Sequence, residues 1–261
     1  MKRVSLSKIT TRGKALILAY DHGLEHGPTD FTDKNIDPAY VLEIARKAKV
    51  NAIALHKGLV EKYYDPKKDV PLILKLNGKT RLLKGDPIST TICTVKEAVE
   101  LGAKALGYTI YVGSEHEKEM FEEFSKIEEE ALRRKLPLVA WMYPRGKAVK
   151  NPKSKEMLAY AARIGLELGA DILKLQHFDD AKTLKWVIKS AGEAKVMIAG
   201  GSKESETKFL QSSKKIMDAG AAGLICGRNI WQHDKPVELA KSLKAIVFNN
   251  ASVAEAKKFL K

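Results

Sequence analysis

Lys174 lies inside an apolar run, Ile172-Leu173-Lys174-Leu175. Burying an ammonium there is costly unless it is paired or loses its proton, and the neutral amine that remains can attack a ketone and form a Schiff base. On the outer face of the same strand a lysine would only extend to water. Three other places carry residue types that suit such a nucleophile. Tyr20-Asp21-His22-Gly23-Leu24-Glu25-His26-Gly27-Pro28 follows the apolar run 15–19. Asp21 is thus a carboxylate at a strand tip, beside glycines that let the backbone approach a ligand; the competing reading is an Asp capping a tight loop. His22 and His26 have the spacing of a helical metal pair, but Gly23, Gly27 and Pro28 favour a loop, and no metal site is assigned. In Trp141-Met142-Tyr143-Pro144-Arg145-Gly146, Tyr143 shares a strand face with Trp141, and its phenol can relay a proton if its pKa is shifted; the alternative is a packed aromatic pair beside a surface arginine. Finally, Ile198-Ala199-Gly200-Gly201-Ser202-Lys203 and Ile225-Cys226-Gly227-Arg228-Asn229 pair glycines with a guanidinium. Backbone amides there can cradle a phosphate while Arg228 chelates its oxygens.

These groups act together only if their segments end at one place. Short apolar runs at 15–20, 51–55, 71–76, 105–111, 138–142, 172–175, 195–199 and 223–226 have strand length and recur about every 20 to 35 residues. Segments 38–47, 94–101, 115–134, 154–168, 181–191, 205–219 and 236–247 carry apolar residues at helical spacing. Only the run 51–55 lacks a clear helix after it. Leu101-Gly102-Ala103, Leu168-Gly169-Ala170 and Ala219-Gly220-Ala221 each stand just before an apolar strand, a repeated helix-to-strand connection with Gly at the position that ends the helix. Continuous apolar strands alternating with helices predict a parallel sheet covered by helices, and eight units in 261 residues predict a (βα)8 TIM barrel. Its active groups belong at the carboxyl ends of the strands, where all four places fall. No Pro/Gly/Ser-rich linker divides the chain, so residues 1–261 are read as one domain.

The composition sets the remaining bounds. The chain has 46 Lys plus Arg against 32 Asp plus Glu, a net charge of +14. The basic residues are scattered, with no basic tail and no interleaved aromatic stripe, which argues against a nucleic-acid surface and for solvated helix faces with an anionic small substrate. No apolar run reaches membrane-spanning length, and the basic start has no secretory pattern after it. The only cysteines, Cys93 and Cys226, are far apart in sequence. They supply neither a structural zinc cluster nor a disulfide scaffold, and the expected location is the reducing cytoplasm.

Taken with these residues, the chain resembles the archaeal-type class I fructose-bisphosphate aldolases, a Schiff-base family that also contains aminodideoxyheptulosonate synthases and an autoinducer-processing thiolase. The resemblance covers nearly the whole chain. It is carried by Asp21-His22-Gly23-Leu24-Glu25-His26-Gly27-Pro28, Leu74-Lys75-Leu76-Asn77-Gly78-Lys79-Thr80, Gly107-Tyr108-Thr109-Ile110-Tyr111, Tyr143-Pro144-Arg145-Gly146 and Gly227-Arg228-Asn229-Ile230-Trp231-Gln232. It implies that Lys174 is the Schiff-base lysine, Tyr143 the proton-transferring phenol and Asp21 the carboxylate beside a substrate hydroxyl. Trp141, Arg145 and His26 would line the substrate pocket, and Gly200, Gly201, Ser202, Gly227 and Arg228 would hold a phosphate. The implied reaction is reversible cleavage of fructose 1,6-bisphosphate to dihydroxyacetone phosphate and glyceraldehyde 3-phosphate, with no metal and no cofactor. The Glu25-His26 pair and Trp141 look more like the aldolases than the heptulosonate synthases. His177-Phe178-Asp179-Asp180 departs from the family's Tyr-Thr-Gly-Asp, and Ser202 stands where Pro is usual. The resemblance also suggests a homo-oligomer, with a decamer of two pentameric rings as one form. The rival readings are another Schiff-base carbon-carbon enzyme, such as the heptulosonate synthase, and a non-catalytic barrel that binds sugar phosphate.

Overall fold

The computed structural model describes residues 4–178, 180–201 and 203–260. Eight of its strands are β1 (Ala15–Ala19), β2 (Ala52–His56), β3 (Leu72–Lys75), β6 (Ala105–Val112), β7 (Leu138–Pro144), β8 (Ile172–Leu175), β9 (Lys195–Ala199) and β10 (Gly223–Cys226). They close into a barrel in the order β1-β10-β9-β8-β7-β6-β3-β2, all paired in parallel. This is the expected (βα)8 barrel. The remaining strands, β4 (Asn77–Gly78) and β5 (Thr90–Thr91), pair antiparallel with each other after β3.

Local chemistry sets the ends of the helices. Outside the barrel lie α2 (Pro38–Ala48), α4 (Val95–Glu100), α5 (Glu117–Arg133), α6 (Lys155–Glu167), α7 (Ala181–Ser190), α8 (Glu206–Asp218) and α10 (Pro236–Asn249). Side chains of Asp37, Thr94, Ser154 and Asp180 accept from first-turn amides of α2, α4, α6 and α7, satisfying donors the helix itself leaves open. Gly102, Gly169 and Gly220 have φ of 81°, 90° and 100°, so the repeated motif before β6, β8 and β10 does rest on a backbone shape that only glycine adopts freely.

Three expectations change. The stretch read as a loop after β1 is a one-turn helix, α1 (His22–His26), continued by a 3-10 turn, Gly27–Asp30; it has no buried residue, and Gly27 at φ 64° ends it. The run 51–55 is followed by a helix after all, α3 (Lys57–Tyr63), hidden because Val60 is its one buried residue. The apolar run 138–142 continues as strand to Pro144, so β6 and β7 pair over seven positions, from Leu106 with Leu138 to Val112 with Pro144. Two short helices near the end, α9 (Arg228–Trp231) and α11 (Val253–Lys257), have no strong apolar period.

The core has two parts, as the pleat requires. Residues of one parity, such as Leu16, Leu18, Leu106, Leu138 and Leu173, face outward and pack with the helices. The other parity fills the barrel with Ala15, Ile17, Ala52, Ala54, Ile73, Ala105, Val139, Trp141, Ile172, Met197 and Ile225. Ile9, fully buried, and Leu6 join this inner cluster from the segment before β1 and fill the end of the barrel away from the strand tips. Among the described residues no helix is long and apolar enough to cross a membrane.

Candidate active site

The inner rows turn polar where the strands end. Continuing the parity of Ala15, Ile17 and Ala19 brings Asp21 to the mouth; Ile73 is followed by Lys75 and Asn77, Val139 and Trp141 by Tyr143, and Ile172 by Lys174 and Gln176. All these polar groups line a cavity of about 470 Å³, which His26, Arg145, Gly200, Gly201, Gly227 and Arg228 also line. The structure therefore brings together every predicted site residue except Ser202, which lies outside the described residues, as does Asp179 of the departing segment.

Lys174 is 5% exposed, and its ammonium position is 5.0 Å from the centre of the Trp141 ring, its neighbour in register. Burial lowers its pKa, and the negative charge of Asp21 opposes that drop. Burial works against ionising Asp21, but the charges of Lys174, His22 and Lys75 outweigh it and hold the carboxyl well below the usual carboxylate range. Tyr143 is the reverse: burial, then the Asp21 carboxylate, drive its phenol far above the ordinary value, so it is a proton donor at neutral pH. Its ring stacks with Tyr111 at 6.4 Å, and the Arg145 guanidinium lies 5.1 Å from the Tyr143 centroid.

The rim is cross-linked by charge. Arg145 donates to Glu25 at 2.9 Å, tying the end of β7 to α1. His26 bonds Asp30 through Nδ1, and Arg81 lies 3.0 Å from its Nε2. A guanidinium only donates, so in this contact Nε2 is the acceptor. Arg228 reaches Asp30 at 3.5 Å, and its Nε is buried with no partner among the described residues. The two glycine-bearing loops are fastened by Asn229, which donates to Gly200 O at 2.8 Å and accepts from Glu204 N at 2.9 Å. Burial lowers the pKa of His22, the other member of the candidate metal pair, to about 4, and its ring packs edge-on to Trp231 at 5.7 Å.

One cluster escaped the sequence reading. Lys75 is 3% exposed and donates to Thr109 Oγ1 at 2.6 Å and Asn77 Oδ1 at 3.3 Å. It lies 4.5 Å from the same Trp141 ring that Lys174 approaches. The signal was available, since Leu74-Lys75-Leu76 is a lysine in an apolar strand just as Leu173-Lys174-Leu175 is. His56 and Gln176 also line the cavity without having been singled out.

Comparison with known proteins finds aldolases among the relatives by sequence. The family model described as DeoC/LacD family aldolase matches residues 15–233. A Thermoproteus tenax protein named fructose-bisphosphate aldolase class 1 is 49% identical over 247 residues, covering 94% of this chain and 93% of that one. A Halobacterium salinarum protein of the same name is 46% identical, with 96% of each chain covered. Among solved structures, an archaeal fructose-1,6-bisphosphate aldolase whose catalytic Lys is covalently bound to the carbinolamine intermediate of the substrate is 48% identical, with a TM-score of 0.88 over 92% of this chain and 96% of that one.

Proposed function

Because this chain belongs to the DeoC/LacD family of aldolases, we propose that it is a class I fructose-bisphosphate aldolase in which Lys174 forms the Schiff base. The observation that carries the reading is Lys174 itself: a lysine buried on the inner face of β8, depressed in basicity and opening on a cavity with a carboxylate, a phenol and two glycine-bearing loops. The neutral amine attacks the C2 ketone of fructose 1,6-bisphosphate, forming a C–N bond and a carbinolamine. Loss of its hydroxyl as water gives an iminium, which takes up the electron pair when the C3–C4 bond breaks. The proton lost from the C4 hydroxyl and the proton later gained at C3 pass through Asp21, an acceptor, and Tyr143, a donor. Glyceraldehyde 3-phosphate leaves, the enamine is protonated, and hydrolysis releases dihydroxyacetone phosphate.

Trp141, His26 and Arg145 shape the pocket, while Gly200, Gly201, Ser202, Gly227 and Arg228 take the phosphate of the ketone half. The unpartnered, buried Nε of Arg228 supports that role. We also read the protein as a single-domain, cytoplasmic homo-oligomer. Support comes from two buried free cysteines and from aromatic side chains left exposed on neighbouring outer helices, Tyr160 at 61% and Trp186 at 47%.

Borohydride added with dihydroxyacetone phosphate is expected to inactivate the protein and leave a three-carbon adduct on Lys174, while chelator leaves fructose 1,6-bisphosphate cleavage intact. A peptide map with no adduct, or with the adduct on another lysine, overturns the assignment.

A further inference from the structure

The barrel holds two buried lysines beside one indole. Lys75 on β3 and Lys174 on β8 are 4.5 Å and 5.0 Å from the Trp141 ring centre, so their nitrogens are separated by no more than the sum of those distances. Two ammonium groups that close, both out of water, repel each other strongly, and the pair sheds one proton more readily than either alone. The surrounding charges do not cancel two cations. Asp21 at the tip of β1 and Glu25 on α1 are the carboxylates that act on the pair, while Arg228 on α9 adds a further positive charge. Burial keeps His22 and His56 neutral at pH 7, and it keeps Tyr143 and Cys226 protonated.

The two lysines are not equivalent hosts for the remaining proton. Lys75 has two acceptors, Thr109 Oγ1 at 2.6 Å and Asn77 Oδ1 at 3.3 Å. Asn77 cannot turn away, because its amide donates to Thr109 O at 2.8 Å and its oxygen also accepts from Thr109 N at 2.7 Å. Among the described residues, no acceptor is hydrogen-bonded to the Lys174 amine. Hydrogen bonds to the charged form favour that form. We propose that Lys75 is the preferred host of the lysine pair's remaining proton around neutral pH and so leaves Lys174 as the free amine. The proposal rests on Lys174 being the nucleophile; Lys75 is a positioning residue that acts through charge.

The test follows the rate at which dihydroxyacetone phosphate is trapped on Lys174 by cyanoborohydride in the full-length protein, from acid to alkaline pH. In Lys75→Met the acid limb is expected to move alkaline by about one pH unit or more, a roughly tenfold loss on that limb, with recovery at high pH. Thr109→Val is nearly isosteric and removes only the closer acceptor, so it keeps the test sound if Lys75→Met folds poorly. It should lose rate at neutral pH and regain it at alkaline pH. Loss by the same factor at every pH, or an unmoved acid limb, in a folded variant of either kind overturns the proposal while leaving Lys174 as the nucleophile. No adduct on Lys174 in the parent protein would instead remove the premise.

Discussion

In the proposed reaction Tyr143 enters as an acid. Its phenol is buried beside an ionised carboxylate, so the proton is held far more firmly than in water. Tyr143→Phe keeps the ring stacked on Tyr111 and deletes the donor. Stability should change little, while turnover falls roughly a hundred- to ten-thousand-fold, the usual worth of a placed acid or base. The borohydride-trapped adduct at Lys174 should still accumulate, and wild-type turnover in the folded variant would reduce Tyr143 to a packing residue. Arg228→Ala should act differently. Its guanidinium already bonds Asp30, so removal frees a carboxylate near the glycine-bearing loops as well as deleting a cation. Titration should show weaker binding of dihydroxyacetone phosphate and a raised KM, with kcat less affected if the grip is equal in ground and transition states. Unchanged binding would remove Arg228 from the phosphate site.

At the scale of elements, the room for this chemistry is made by β6. In register, Gly107 lies between Lys75 on β3 and Val139 on β7. A methyl group there would come within 2.7 Å of the Trp141 ring and 2.9 Å of Lys75 Cδ. Gly107→Ala should therefore cost about 1 to 3 kcal/mol by thermal or denaturant unfolding, as overpacking does, and should lower turnover by shifting both flanking groups. The strands that frame the site were legible because each is a short apolar run closed by polar or glycine residues. The tip of β7 was less so, since Pro144 reads as a break although it ends a strand pairing. α1 escaped because Gly23, Gly27 and Pro28 look like a loop and nothing on it is buried. Lys75 bore the same mark as Lys174, but its acceptor Thr109 is 34 residues away in sequence, and only closure of the barrel joins them.

For the whole molecule, the buried lysines are a burden on stability. Burial brings Lys75 down to about 7, with the charge of Asp21 opposing the fall and that of Lys174 adding to it, against about 10.4 in an unfolded chain. The folded state thus disfavours the ammonium. The penalty is fully present below about pH 7 and fades as pH rises toward the unfolded value. Lys75→Met should accordingly unfold at a higher temperature than the parent near neutral pH, the gap closing toward pH 10; calorimetry across that range checks it, and a lower midpoint at neutral pH would contradict it. The segment before β1 has a different consequence. Ile9 adds to the packed side chains that fill the barrel, so traffic through the cavity runs by the mouth alone. When one sugar is split there, its two halves share that doorway, and the half held on the proposed Lys174 Schiff base has to wait. In the proposed mechanism the order of departure, aldehyde first and ketone last, comes from the covalent bond, and the closed far end fixes only that both halves leave by the same mouth.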